Sequence, residues 1–135
     1  MRRLLPLLIL VLAACGSDST TTPTSASVVG AYTLKTVNGA NTPAVIAQTA
    51  AGKFEVLDDV VTLNADHTYS EAGHLRTTLA NGTVTTSPQV DQGTYTSTNG
   101  AVQFTSTVGN GVTNGSINGN TLTIIDTGIT LVYSK

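Results

Sequence analysis

The chain has 135 residues, with a single cysteine, no tryptophan and very little charge. Cys15 has no second cysteine to pair with, so there is no intrachain disulfide, Cys-x-x-Cys redox pair or cysteine-rich zinc site. Only 10% of residues are charged, and the acids outnumber the bases by eight to six. That balance excludes the clustered positive charge that nucleic acids require and the polybasic surface that anionic lipid attracts. No window carries an apolar stripe at a 3.6-residue period. The best helical candidate, Pro43 to Ala51, is short, lacks a stop signal, and reads as a weak strand or a single turn. Catalytic motifs are missing as well. There is no Gly-x-Ser-x-Gly elbow and no Gly-rich loop with its lysine, and neither histidine has a triad setting. The expectation is a protein that is not an enzyme and needs no cofactor.

What the chain does have begins at its start. Met1-Arg2-Arg3 is followed by an apolar stretch of about ten residues from Leu4 to Leu12, then Ala13-Ala14-Cys15. A positive start, an apolar middle and a small-residue junction make a secretory signal peptide. The apolar stretch falls short of the roughly 20 residues that span a bilayer as a helix. Leu12-Ala13-Ala14-Cys15 resembles the lipobox of bacterial lipoproteins. The resemblance implies cleavage before Cys15 and a lipidated cysteine as the membrane anchor. It also implies outer-membrane delivery, since Gly16 stands where an aspartate retains such proteins at the inner membrane. Stable anchoring takes more than one acyl chain, which a multiply acylated cysteine supplies.

Three segments follow: signal peptide 1–14, lipidated cysteine and tether 15–27, and one domain over 28–135. Gly16 to Ser27 is almost wholly small or hydroxylated and cannot bury enough apolar surface to order itself. Such a tether has an r.m.s. span of about 20 Å. The remaining 108 residues suffice for one domain with a modest core. Loss of Arg2 and Arg3 with the leader leaves four basic side chains against eight acidic ones, a net charge near −4.

Thr, Val and Ile dominate the domain and suit a pleated, half-buried surface. Val102 and Phe104 share a face, as do Leu122 and Ile124, and Ile129, Leu131 and Tyr133. Asn-Gly occurs at Asn38, Asn81, Asn99, Asn110, Asn114 and Asn118, each read as a tight turn between antiparallel neighbours. Asn64-Ala65-Asp66-His67 reads as a further turn, and Pro88 as a bulge or break in its strand. The predicted strands are 28–37, 43–49, 53–64, 68–80, 83–96, 101–108, 111–118 and 121–134. This is an all-β, eight-stranded antiparallel up-and-down meander, which removes its edges by closing into a barrel. A two-sheet β-sandwich is the alternative.

Gly30-Ala31-Tyr32 resembles the Gly-x-Trp opening of lipocalins with Tyr for Trp, and Gly93-Thr94-Tyr95 repeats it. The runs Thr62 to Ser70 and Gly119 to Lys135 resemble small bacterial lipocalin-like lipoprotein domains. The chain departs from the family in having no Trp, no Thr-Asp-Tyr motif and no Arg on the final strand to pack on the strand-one aromatic. The resemblance implies a barrel that binds or carries a small apolar or amphipathic ligand. Candidate cavity-lining residues are Tyr32, Leu34, Tyr69, Glu71, Leu75, Tyr95, Phe104, Leu122, Leu131 and Tyr133.

Glu71 shares strand parity with Tyr69 and Leu75, so it faces the cavity unless a bulge near Gly73 turns it out or it sits at the barrel mouth. Facing inward, it meets a ligand's amine or hydroxyl. His67 and His74 do not join Glu71 as metal ligands, because 67 sits in a turn and 74 has the opposite parity. Asp58 and Asp59, near Glu55, point to opposite faces and make no acid/base couple without a bulge. The expected protein is monomeric, held to the envelope by lipid. A structural or protein-interaction module without a ligand is the alternative function.

Overall fold

The structure, a computed structural model, describes residues 27–135, and the β-branched pattern there becomes ten antiparallel strands. They are β1 (Gly30–Val37), β2 (Ala40–Asn41), β3 (Ala44–Thr49), β4 (Gly52–Leu63), β5 (Thr68–Leu79), β6 (Val84–Thr98), β7 (Ala101–Ser106), β8 (Val112–Asn118), β9 (Thr121–Asp126) and β10 (Ile129–Ser134). The leader, Cys15 and nearly all of the tether lie outside the described residues. Among the described residues there is no helix.

Eight strands close a barrel. The ladder runs from β1 through β10, β9, β8, β7, β6 and β5 to β4, and Gly30–Thr33 then pairs with Val60–Leu63. This closed antiparallel barrel is consistent with a lipocalin-like fold, and the sandwich alternative falls away.

The membership of the ring differs from the sequence expectation. Segment 43–49 forms β3, which pairs only with the first part of β4 and stands outside the ring. Segment 121–134 is two wall strands rather than one. Asp126 pairs with Ile129, and the two-residue loop between them has Thr127 at φ 44° and Gly128 at φ 85°. Positive φ at both positions matches the twist of the flanking strands.

Asn114-Gly115 is not a turn but lies inside β8. A Cβ on Gly115 would stand 2.8 Å from the Thr123 carbonyl and press on Ile124 and Leu122, so glycine lets β8 and β9 approach. Pro88 neither bulges nor breaks β6, and the ladder passes through His74–Pro88 without a shift. Pairing with β7 begins only at Gly93, so Pro88 lies on a stretch with a single neighbour, where a missing donor is tolerated.

The barrel has two unlike poles. At one, Tyr32, Leu63, Tyr95, Val102 and Leu122 are buried as a plug. The Tyr32 hydroxyl donates to the Val28 carbonyl at 2.7 Å, and the Tyr95 hydroxyl to Asn64 at 2.8 Å. Both ends of the domain meet here. Lys135 Nζ lies 5.1 Å from the Tyr32 ring centroid and donates to the carbonyls of Ser27 and Val29 at 2.6 and 3.0 Å. This lysine therefore sets a cation against the strand-one aromatic ring. At the other pole, β3 and the adjoining parts of β4, β5 and β6 run past the ring. The first half of β6 is exposed there, Val84 to 57% and Val90 to 69%.

Candidate functional site

The alternating strands send their odd-numbered β5 residues inward: Tyr69, Glu71, Gly73 and Leu75 all line the interior. Two adjoining cavities of about 230 and 160 Å³ occupy the half of the barrel away from the plug, with Glu71, Gln89 and Leu131 as common walls. Val61, Phe104, Ile124 and Leu131 give the larger cavity an apolar side.

Opposite them stands a group of acids from three neighbouring strands. Asp59 comes from β4, Glu71 from β5 and Asp91 from β6. Asp59 shares the inward face with Val61 and Leu63, and a bulge between Val56 and Asp58 inserts Leu57 and reverses the parity of the residues before it. Val56 and Asp59 therefore both face the interior, while Asp58 faces out and accepts from His74 Nδ1 at 2.8 Å. Gly73 makes the room. A Cβ there would lie 2.5 Å from the Asp58 carbonyl and 2.8 Å from Asp59 Oδ1.

Hydroxyl groups fix the carboxylates. The buried Tyr133 hydroxyl donates to Asp59 Oδ2 at 2.7 Å. Tyr69 donates to Asp91 Oδ2 at 2.6 Å and packs edge-on against Phe104, with ring centroids 5.1 Å apart. Ser106 Oγ donates to Asp91 Oδ1 at 2.5 Å and in turn accepts from the amides of Val108 and Gly109, which ties the β7–β8 loop to the acid.

Burial raises the Asp59 and Glu71 pKa values, and in Glu71 the charge of Asp59 adds to the effect, bringing it to about 7. Their mutual repulsion opposes ionising both, so the pair keeps a proton up to about pH 7. Burial, and then the neighbouring carboxylates, also push the Tyr69 and Tyr133 hydroxyls above the usual phenol range, keeping both as donors.

Of the residues expected to line a cavity, Tyr69, Glu71, Phe104, Leu131 and Tyr133 line the larger one. Leu34 and Leu75 line the smaller. Tyr32, Tyr95 and Leu122 line neither, because all three are packed into the plug at the closed pole. Sequence reasoning missed Asp59, Asp91, Gln89 and Asp126. The parity of Asp91 with Gly93 and Tyr95, and of Asp59 with Val61 and Leu63, was a usable signal.

His67 sits at φ 65° in its turn with its ring 5.6 Å from Tyr95, remote from His74. Glu55 lies on the other face of β4, buried between Lys53 at 3.1 Å and Arg76 at 2.9 Å. The Arg76 and Lys53 bonds hold its carboxyl below the usual range. No group of three potential metal ligands occurs among the described residues.

No protein-family model, curated protein or solved structure matches this chain. A barrel interior with one apolar wall and one hydrogen-bonded acidic wall can hold a compact molecule that has both characters.

Proposed function

We propose that the protein is an envelope lipoprotein, anchored through Cys15, whose lipocalin-like barrel binds or carries a small amphipathic molecule without chemically altering it. The observation that carries this reading is the two-faced interior cavity, with Phe104, Ile124 and Leu131 on one side and Glu71 and Asp91 on the other. At about 230 Å³ it is smaller than the roughly 300–1,000 Å³ of drug-sized sites, so the ligand is compact. The anchor rests on the run Leu12 to Cys15 and the leader before it.

Native mass spectrometry of the full chain, isolated from its own cells in mild detergent, tests the carrier reading. A reproducible added mass beyond the lipid anchor, lost on denaturation, is expected. A chain carrying only its anchor, with no apolar or amphipathic probe displacing a bound dye, overturns it. Cys15→Ser is expected to move the protein from the membrane fraction to the soluble fraction, and an unchanged distribution overturns the anchor.

A second reading has its own observation. Residues 84–92 of β6 form an exposed edge with Val84 and Val90 uncovered and no partner strand beyond it. Such an edge accepts an added strand from another envelope protein. Crosslinking from position 90 that returns no specific protein counts against that role.

A further inference from the structure

The inference rests on the reading of the barrel as a ligand-binding protein and names the ligand's chemical class. We propose that the cavity takes a compact organic cation, a protonated primary amine on an apolar body, with its ammonium group at Glu71 and Asp59.

The charge inventory of the interior is one-sided. The titratable groups that line the cavities with Glu71 are Asp59 on β4, Tyr69 on β5, Asp91 on β6, Asp126 on β9 and Tyr133 on β10, with the outward-facing Asp58 and His74 at the rim of the smaller one. No lysine or arginine lines either cavity. His74 is already engaged with Asp58 at the outer rim. Lys53 and Arg76 are held by Glu55, and Lys135 lies at the closed pole. Buried carboxylates without a counter-charge are expensive, and the usual remedies are a proton or a cation.

Asp59 provides an independent sign of where the cation sits. It is only 7% exposed, and its Oδ1 receives no hydrogen bond from any N–H or hydroxyl among the described residues. A proton held by Glu71 is the one donor that the acids themselves can bring to it. An apolar ligand would leave it unsatisfied, and an anion would be repelled. A neutral alcohol brings one donor, whereas an ammonium group brings three donors and the missing charge. Tyr133, Tyr69 and Ser106 hold the carboxylates in place before any ligand arrives, which lowers the ordering cost of binding. The apolar body lies against Val61, Phe104, Ile124 and Leu131.

Binding is coupled to a proton. In the free barrel Glu71 keeps its proton up to about pH 7. The ammonium group arrives already charged, so Glu71 ionises to meet it and its proton passes to buffer. Affinity therefore rises with pH, by up to tenfold per unit below about pH 7, and levels off above.

Isothermal titration calorimetry of the full chain with benzylamine, benzyl alcohol and benzoate tests this between pH 6 and 8 in buffers of different ionisation enthalpy. Benzylamine is expected to bind at least tenfold tighter than the alcohol, with proton release at pH 6 to 7 and no benzoate binding. Asp59→Asn is expected to weaken benzylamine on the order of 100-fold, with the alcohol changed only a few-fold. The wild-type pH series stands by itself should that variant fold poorly. Equal amine and alcohol affinities, or an amine affinity that ignores pH, overturn the proposal. So does displacement of the amine by millimolar calcium, which would assign the acids to an inorganic cation. If apolar dyes or a native ligand bind while amines are not preferred, only this inference falls. If nothing binds, the carrier reading falls with it.

Discussion

Replacing Glu71 with glutamine tests directly whether the interior acids share a proton. The Glu71 carboxyl is raised from its ordinary 4.5 to about 7, mainly by burial and then by Asp59. The folded barrel therefore holds a proton that the unfolded chain releases near pH 4.5. Between those two values the native state binds more protons, so stability falls as pH rises from about 4.5 to about 7 and is level above. The shift corresponds to about 3 kcal/mol at full effect. In E71Q the side-chain amide offers Asp59 a donor at every pH, so this pH dependence disappears. The variant and the wild type are expected to be about equally stable near pH 5, and the variant to lead by about 2–3 kcal/mol at pH 8. Glu55 and Asp66, whose carboxyls are lowered by their hydrogen bonds, contribute stability that is lost only at more acid pH, outside this window. Urea denaturation at half-unit steps from pH 5 to 8 reads the difference, with the urea slope as a check on two-state behaviour. A gap between the curves that stays constant with pH, or that opens toward acid, would refute a shared proton.

Other substitutions probe the supports of the site. Tyr133→Phe removes the donor to Asp59 Oδ2 and should cost about 1–3 kcal/mol, more at pH 8 than at pH 5, in the same urea series. Lys135→Met keeps the stem against Gly30 but removes the charge over Tyr32 and both carbonyl bonds. A loss of about 1 kcal/mol and faster amide exchange at the start of β1 are expected, and unchanged exchange would contradict the latch. Gly93→Ala drives a methyl into the Thr105 carbonyl and forces β6 and β7 apart, so thermal unfolding should report a loss of about 3 kcal/mol.

Parity made much of this molecule legible. The pairs Val102 and Phe104, Leu122 and Ile124, and Leu131 and Tyr133 each share the face that alternation assigns them, and the same rule turns Glu71 inward. Alternation failed where the period was broken. One extra residue at Leu57 reverses the faces of β4, so Val56 rather than Glu55 shares the interior with Asp59 and Val61. Turn chemistry was legible where Asn-Gly carries its conformational preference. It was illegible at Thr127-Gly128, where a β-branched residue holds a left-handed position because strand pairing on either side compels it. Asn114-Gly115 shows the reverse error, because close packing between β8 and β9 needs the missing side chain more than a turn needs the dipeptide. The Lys135 latch joins positions more than 100 residues apart and has no local signature.

The meeting of both chain ends at the plugged pole has a directional consequence. Ser27, the first described residue, sits at the pole that Tyr32 and Tyr95 seal, while Val90, Asp126 and the cavity rim lie toward the opposite one. Under the proposed anchoring at Cys15, the tether would join the barrel at its stoppered end and leave the mouth unobstructed. On the proposed carrier reading, cargo would then exchange with the surrounding aqueous compartment rather than be drawn sideways out of a leaflet. A compact charged solute suits such an outward-facing cup, and a long acyl chain does not.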